Sequence, residues 1–185
     1  VVYTASASDP DAGDSKAWSL SGTDASLLVI DASTAEVTLK AAADFESKTS
    51  YSFSVVATDA GGLSASKAVV LSVTNVNETP SVSSGATASV AENTATSTVL
   101  YTASATDPDA SDTQTWSLSG TDASLLTIDA STGEVTLKAA ADFEVKTSYS
   151  FSVVATDAGG LSASKAVVLS VTNVNEAPIG SVTIS

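Results

Sequence analysis

The sequence predicts an all-β protein made of two tandem β-sandwiches of about seven strands each, the first without its opening strand. Three observations lead to this fold class. The composition is 43% hydrophobic but only 5% aromatic, and valine, alanine, serine and threonine dominate it, which favours short pleated strands over long amphipathic helices. Hydrophobic residues alternate with polar ones along short segments, and almost the whole chain is an internal repeat.

The repeat has a period of 98 residues, so that the motif YTAS at residues 3–6 recurs at residues 101–104. The offset holds without a gap from Val1 to Pro80, and about 70 of the 80 aligned pairs are identical. Such self-similarity indicates two copies of one supersecondary unit. The counterpart of Glu92 would precede Val1, so the first copy is expected to lack its opening strand. We therefore expect domains at 1–78 and 79–178 and the start of a following segment at 179–185.

Each copy has the alternation of half-buried strands. In the second copy, residues 148–156 alternate between large apolar side chains and small or polar ones, and residues 162–172 continue the pattern after a Gly-Gly turn. Strands that recur every 8–12 residues with turn signals between them are typical of a sandwich. Trp18 and Trp116 lie in short predicted strands, where a lone tryptophan is typical of a core residue and not of a sugar-stacking platform.

A hairpin turn is predicted at residues 129–133, with sequence DASTG. Apolar segments flank it on both sides, and glycine at its last position suits a left-handed backbone conformation. The first copy has Ala35 where the second has Gly133. Because a Cβ atom disfavours the left-handed conformation, we expect this turn to be slightly strained in the first copy.

The charge balance excludes several functional classes. Seven lysine residues face 21 acidic residues, for a formal net charge of −14, so neither nucleic acid nor an anionic membrane surface is expected as a partner. Histidine, cysteine and methionine are absent, which removes thiolate and imidazole metal sites. Only hard oxygen ligands remain, and these suit calcium. The apolar stretches are too short for membrane insertion.

The acidic residues are not spread evenly along the repeat. In the second copy they group at predicted strand ends, as Glu92, Asp107 with Asp109, Asp142 with Glu144, Asp157, and Glu176. Strand ends meet at the poles of a sandwich, where clustered carboxylates repel one another unless a cation intervenes. Six to eight oxygens of this kind are what calcium binds. The spacing therefore favours a calcium site, although acids that merely decorate loops would give a similar pattern.

Several motifs occur in the same order in the repeat: Ala91-Glu92-Asn93, Asp107-Pro108-Asp109, Asp142-Phe143-Glu144, ATDAG at residues 155–159, and NVNE at residues 75–78 and 173–176. At these positions, over nearly its whole length, the chain resembles the cadherin repeat family in its bacterial form. The resemblance implies seven-stranded Greek-key, Ig-like sandwiches that bind calcium between successive repeats and thereby stiffen. It also implies a large bacterial surface or adhesin protein as the parent.

The resemblance carries the family's ligands onto this sequence. The inter-repeat calcium ligands would be Asp44, Glu46, Asn75, Asn77, Glu78, Thr79, Asp107, Asp109 and Asp157. An N-terminal half-site would contain Asp9, Asp11 and Asp59. A C-terminal half-site would contain Glu92, Asp142, Glu144, Asn173, Asn175 and Glu176. The family usually has aspartate where this chain has Asn75, so of the up to three ions that the family binds, we expect one or both of the two nearer the first repeat to bind weakly or not at all.

Other site types fit the residues less well. Residues 9–14 resemble the start of an EF-hand loop, but the twelfth position is Leu20 and not glutamate, and no helices flank it. Asp142 and Glu144 could be read as a glycosidase pair. They recur in both copies without a predicted cleft around them, so no enzyme activity is expected. Asn77-Glu78-Thr79 matches a glycosylation sequon, but a calcium-binding amide is the favoured interpretation.

These observations predict an extracellular, calcium-stiffened spacer or stalk in cell-surface adhesion, such as cell–cell, biofilm or substrate attachment, with neighbouring repeats of the same protein as partners. Three alternatives stay open at this stage. The repeats could themselves bind a homophilic or carbohydrate partner, they could polymerise into surface fibres by strand exchange, or the acidic surface could be an adaptation to salt. Near-identical copies favour the spacer, because recognition sites usually diverge.

Overall fold

The computed structural model describes residues 1–11, 13–110 and 112–177, which form two compact units. The first unit is Val1–Val76 and the second begins at Asn77, next to the boundary expected from the sequence. The predicted following segment, residues 179–185, lies outside the described residues. Within the described part of the chain, no helix is both long and apolar enough to cross a membrane.

The first unit contains two small antiparallel sheets. Its strands are β1 (Tyr3–Thr4), β2 (Ala17–Ser21), β3 (Leu28–Ile30), β4 (Glu36–Leu39), β5 (Ser50–Thr58) and β6 (Ser64–Ser72). One sheet has the order β1-β4-β3 and the other β2-β5-β6. The two sheets face each other, and their strands alternate between inward and outward side chains. They form the predicted all-β sandwich, with side chains from both inner faces in its core.

The second unit repeats this arrangement and adds an opening segment. Its strands are β7 (Ser81–Val82), β8 (Thr87–Ala91), β9 (Tyr101–Thr102), β10 (Ala105–Thr106), β11 (Thr115–Ser119), β12 (Leu126–Ile128), β13 (Glu134–Leu137), β14 (Ser148–Thr156) and β15 (Ser162–Thr172). The sheets have the orders β11-β14-β15-β8, β12-β13-β9 and β10-β7. Strand β8 pairs with β15 in parallel, whereas the other strand pairs are antiparallel.

The core of the second unit is built from the alternating positions that the sequence indicates. Val135 and Val153 are fully buried and Trp116 is 8% exposed, so Trp116 is a core residue as predicted. The rings of Tyr101 and Phe151 pack edge to face with centroids 6.2 Å apart, a favoured arrangement of aromatic quadrupoles.

Strand β8 accounts for the main difference between the two units. Val167, Leu169 and Val171 are at most 4% exposed in the second unit, where β8 pairs with β15 and β15 is not an edge strand. Their counterparts in the first unit, Val69, Leu71 and Val73, are only half-buried, because β6 is an edge strand there. The described residues of the first unit contain no counterpart of β8.

The predicted hairpin turn forms between β12 and β13. Asp129 Oδ1 accepts backbone N–H groups of Ser131 and Thr132, each at 2.8 Å. Gly133 closes the turn at φ +70°, and its counterpart Ala35 adopts φ +60°. Ala35 is therefore held in the left-handed region, which confirms the predicted strain in the first copy.

A buried carboxylate, Asp122, connects the segment after β11 to β14. Asp122 is 8% exposed, and its Oδ2 accepts the N–H of Ser150 at 2.7 Å. Its Oδ1 lies 2.9 Å from Lys146 Nζ, and that ammonium also lies over the Tyr149 ring. The Ser150 N–H above all, and then Lys146, hold the pKa of Asp122 below its usual value. Asp24, Lys48, Ser52 and Tyr51 repeat the arrangement in the first unit.

We predict that Gly133→Ala destabilises the second unit by about 1 kcal/mol or more, because a left-handed alanine is disfavoured. A Cβ atom at Gly133 would also lie only 2.9 Å from the Ala103 carbonyl oxygen. Urea denaturation in a Trp18→Phe background, where Trp116 alone reports fluorescence, measures the change. An unaltered midpoint would contradict the prediction. Ala35→Gly provides the reverse comparison in the first unit.

A second prediction concerns acid stability. Because its pKa is lowered on folding, Asp122 stabilises the fold above its unfolded-state pKa, and this contribution is lost as the pH falls through the lower folded value. The difference in unfolding free energy between the wild type and Asp122→Asn should therefore be largest near pH 7 and shrink below about pH 4. Exposed Glu134→Gln serves as the charge-matched control. A difference that is constant with pH would rule out this role.

Candidate metal centre

The long hairpin of β14 and β15 separates the acidic residues of the second unit into two groups. The strands pair from Ser148 opposite Ser170 to Thr156 opposite Ser162. Asp157 follows β14 at one end of this ladder, and Glu144 precedes β14 at the other. We call these the Asp157 end and the Glu92 end of the second unit.

At the Asp157 end, three carboxylates converge. Asp107, Asp112 and Asp157 each present an oxygen, and these oxygens all lie within 4.8 Å of one another. Asp157 is 5% exposed. The Oδ2 atom of Asp107 is buried and has no hydrogen-bond partner among the described residues. An unpartnered buried carboxylate oxygen is unfavourable by itself, so this position is suited to a cation.

The first residues of the second unit are bound to the same end. Asn77 Nδ2 donates to Asp157 Oδ2 at 3.0 Å, and the backbone N–H of Glu78 donates to Asp109 Oδ2 at 2.8 Å. Asp109 is 8% exposed, and its own N–H donates to Asp107 Oδ1 at 3.0 Å. Asn77 and Asp157 thus form one hydrogen-bonded pair and Asp107 and Asp109 another, and the approach of Asp107 to Asp157 brings the two pairs of predicted ligands to the same end.

At the Glu92 end, Glu92, Glu144 and Glu176 present oxygens within 4.8 Å of one another. Glu92 is 3% exposed and accepts the N–H groups of Val174 at 2.6 Å and Phe143 at 2.9 Å. These two bonds, led by that of Val174, keep the pKa of Glu92 below its usual value. Glu92 thus joins three separate segments of the chain.

The pKa of the neighbouring Glu144 is shifted in the opposite direction. The hydrogen bond within its own residue lowers its pKa, but loss of hydration and the charges of Glu92 and Glu176 outweigh this and leave the pKa raised. Asn173 Nδ2 donates to Glu144 Oε1 at 2.9 Å, and Asn93 Nδ2 donates to Glu176 Oε1 at 2.6 Å. Amide donors thus partly compensate the mutual repulsion of the carboxylates.

The first unit has a cluster equivalent to that at the Asp157 end. Asp9, Asp14 and Asp59 present oxygens within 4.8 Å of one another, whereas the predicted half-site contained Asp11 and not Asp14. The N–H of Asp11 donates to Asp9 Oδ1 at 2.9 Å, and that of Leu63 donates to Asp59 Oδ1 at 2.8 Å.

The paired acids of the DFE motif organise local turns. Asp44 Oδ1 accepts the N–H of Glu46 at 3.0 Å, and Asp142 Oδ1 accepts the N–H of Val145 at 3.1 Å. In Asp44, the hydroxyl of Ser47 is the leading cause of a lowered pKa. Three other predicted ligands are exposed at the surface of their own units: Asn75, Thr79 and Asn175.

Sequence reasoning missed Asp14 and Asp112. Both lie five residues after the first aspartate of the Asp-Pro-Asp motif, and they are identical across the 98-residue offset. Their recurrence in both copies was the signal in the sequence that could have marked them as site residues. Its meaning depends on the loop bringing Asp112 back towards Asp107 and Asp157, which spacing alone does not show.

Comparison with known proteins finds similarity to cadherins. Residues 86–172 match the Cadherin domain family model. The chain is 31% identical over 182 residues to mouse Protocadherin Fat 4, covering 95% of this chain and 4% of that protein. It is 32% identical over 155 residues to the Drosophila melanogaster Protein dachsous, covering 80% of this chain and 4% of the relative. The chain thus spans a small part of these relatives.

Solved structures agree with the fold. The chain is similar to mouse Cadherin-23 EC22-24, with 26% identity, a TM-score of 0.68, and coverage of 86% of this chain and 53% of that one. It is also similar in fold to human Protocadherin-24 EC1-2, with 21% identity, a TM-score of 0.75, and coverage of 95% and 88%. The second unit is therefore similar to a cadherin domain over residues 86–172, and the first unit repeats most of that sequence.

Proposed function

We propose that this chain is a pair of calcium-binding repeats that calcium stiffens, serving as an extracellular spacer in cell-surface adhesion. The single observation that carries the calcium part is the buried Asp107 Oδ2 atom, which has no hydrogen-bond partner among the described residues. It belongs to a carboxylate cluster with Asp112 and Asp157. A divalent cation would compensate the charge that the protein leaves unpaired there.

The chemistry of the donor set fits calcium. The groups that converge at the Asp157 end are carboxylate oxygens with an amide side chain beside them, which are the hard ligands that calcium prefers. In our proposal Asp107, Asp112 and Asp157 hold an ion in the second repeat. Asp9, Asp14 and Asp59 form the corresponding candidate in the first, and Glu92, Glu144 and Glu176 a further one.

The proposal retains the inter-repeat ligand set implied by the cadherin resemblance, with Asp112 added to it. Bound calcium supplies positive charge that several carboxylates share. Without the ion, the clustered carboxylates repel one another, and the residues that join the repeats are held more weakly. With calcium bound, groups from distant segments bind one ion, and the residues that join the repeats have less conformational freedom.

The adhesion part of the proposal rests on the relatives. They are cadherins and protocadherins by name, and the near-identity of the two copies suits a uniform rod. Extracellular calcium modules typically have dissociation constants of about 10⁻⁴–10⁻³ M, which matches calcium outside cells. These relatives are animal proteins. A bacterial surface protein as the parent stays a prediction from the sequence.

The calcium prediction can be tested with Asp107→Asn. Calcium should raise the unfolding temperature of the wild type by binding the native state, and Asp107→Asn should remove most of the rise that belongs to the second repeat. In chelator, this variant should be as stable as the wild type or more stable, because it removes the repulsion between the Asp107 carboxylate and those of Asp112 and Asp157. Calorimetric titration and thermal unfolding measure the two effects.

Glu134→Gln is the control, since it removes one negative charge from an exposed position outside the clusters. It should bind calcium like the wild type. Wild-type protein that shows no calcium-dependent shift, or Asp107→Asn protein that keeps the full shift, would contradict the calcium proposal.

The spacer prediction is tested by small-angle scattering of the chain in millimolar calcium and in chelator. Calcium should increase the maximum dimension and reduce flexibility, and Asp107→Ala/Asp109→Ala should abolish that change. An unchanged profile in a protein that binds calcium would leave binding intact but reject stiffening. A concentration-dependent growth in mass would instead support direct association between chains.

A further inference from the structure

The turn that joins β14 to β15 is also a contact point for the beginning of the second unit. Within the turn, Asp157 Oδ1 accepts the N–H of Leu161 at 2.8 Å, and the N–H of Gly160 donates to the Asp157 carbonyl oxygen at 3.3 Å. The other carboxylate oxygen of Asp157 accepts the side-chain amide of Asn77 at 3.0 Å. A single aspartate thus shapes the turn and binds a residue 80 positions earlier in the chain.

Gly159 provides the space for this contact. A Cβ atom at position 159 would overlap the side-chain amide of Asn77. Unlike Gly160, which has φ +91°, Gly159 does not adopt a positive φ, so its backbone conformation is accessible to any residue. Glycine at this position is therefore explained by space and not by backbone geometry.

The first unit supplies a matched comparison. Gly61 is the counterpart of Gly159 and also lacks a positive φ. A Cβ atom there would meet only Asp59 Oδ1, at 3.4 Å, which is ordinary van der Waals contact. Alanine should therefore be accommodated at position 61 but not at position 159 while Asn77 occupies its place.

The same turn contacts the carboxylate cluster. The N–H of Ala158 donates to Asp112 Oδ1 at 3.2 Å, and Asp112 and Asp157 are both members of that cluster. The residue after Asn77 is also held, because the N–H of Glu78 donates to Asp109 Oδ2 at 2.8 Å. A shift of Asn77 would therefore disturb both the turn and the hydrogen bonds beside the cluster.

We infer that Gly159 is a positioning residue, which seats the Asn77 side chain against Asp157 and so fixes the first residues of the second repeat beside the carboxylate cluster. The seat is made by protein groups alone. This inference extends the proposed function. It rests on that function only because Asn77 and Asp157 are also candidate calcium ligands.

A double-mutant cycle tests the inference on the full chain. Gly159→Ala, Asn77→Ala and the double variant are compared in chelator by hydrogen exchange at the Glu78 amide and by urea unfolding. Gly159→Ala should speed exchange of that amide several-fold and destabilise the second repeat. In the Asn77→Ala background the same substitution should have little effect, because the side chain that it would displace is already gone. Gly61→Ala controls for the general effect of alanine on the unfolded chain.

Calcium titration of the same variants separates the two proposals. Gly159→Ala should weaken calcium binding by about 10-fold or more, as expected for a group that orients a ligand, whereas Gly61→Ala should leave the second-repeat site unchanged. Additive effects in the cycle, or a Gly159→Ala variant that behaves like Gly61→Ala, would overturn the inference. Coupling in chelator without any calcium binding would uphold the seat and reject the calcium function.

Discussion

The antiparallel ladder between β14 and β15, nine residues long, is the constraint on which the second repeat depends. It places Tyr149, Phe151 and Val153 on the buried face by strict alternation. It also sets the distance between its two ends, where backbone ladders stop and loops must satisfy their own hydrogen bonds. Acidic side chains supply hydrogen-bond acceptors at those ends, so the carboxylate clusters lie there and not on the strand faces.

The carboxylates at these ends divide into two physical classes. Glu92 and Asp122 accept backbone N–H groups from distant segments, and their pKa values are lowered as a result. They are structural acceptors whose charge the fold itself compensates. Asp107 differs, because one of its oxygens is buried without a partner among the described residues. That distinction separates carboxylates whose hydrogen bonds hold distant segments together from a carboxylate that keeps one buried oxygen without a hydrogen bond.

The two copies act as an internal comparison, because they are nearly identical in sequence but differ in surroundings. Val167 and Leu169 are buried where β8 pairs with β15, whereas Val69 and Leu71 remain half-buried at a sheet edge. Identical side chains thus bury different apolar areas, and the hydrophobic contribution differs accordingly. Burial of these side chains is therefore more complete in the unit that contains β8.

The sequence by itself determined the fold class and the general place of the acids. Alternation around Phe151, the 98-residue offset and the turn ending at Gly133 are local signals, and each translates directly into strands, copies and a hairpin. The position of Asp107 and Asp157 near one pole followed from their places at strand ends. The spacing of the acids favoured calcium, and the resemblance to cadherin repeats then supplied the inter-repeat ligand set.

Only the tertiary structure decided which acids meet. Asp112 joins Asp107 and Asp157 because its loop folds back, and the path of a short loop is not encoded in residue spacing. The seat of Asn77 at Gly159 depends on packing between segments 80 residues apart. Long-range contacts of this kind arise from how strands stack and where their ladders end, so they appear only when the whole sandwich is assembled.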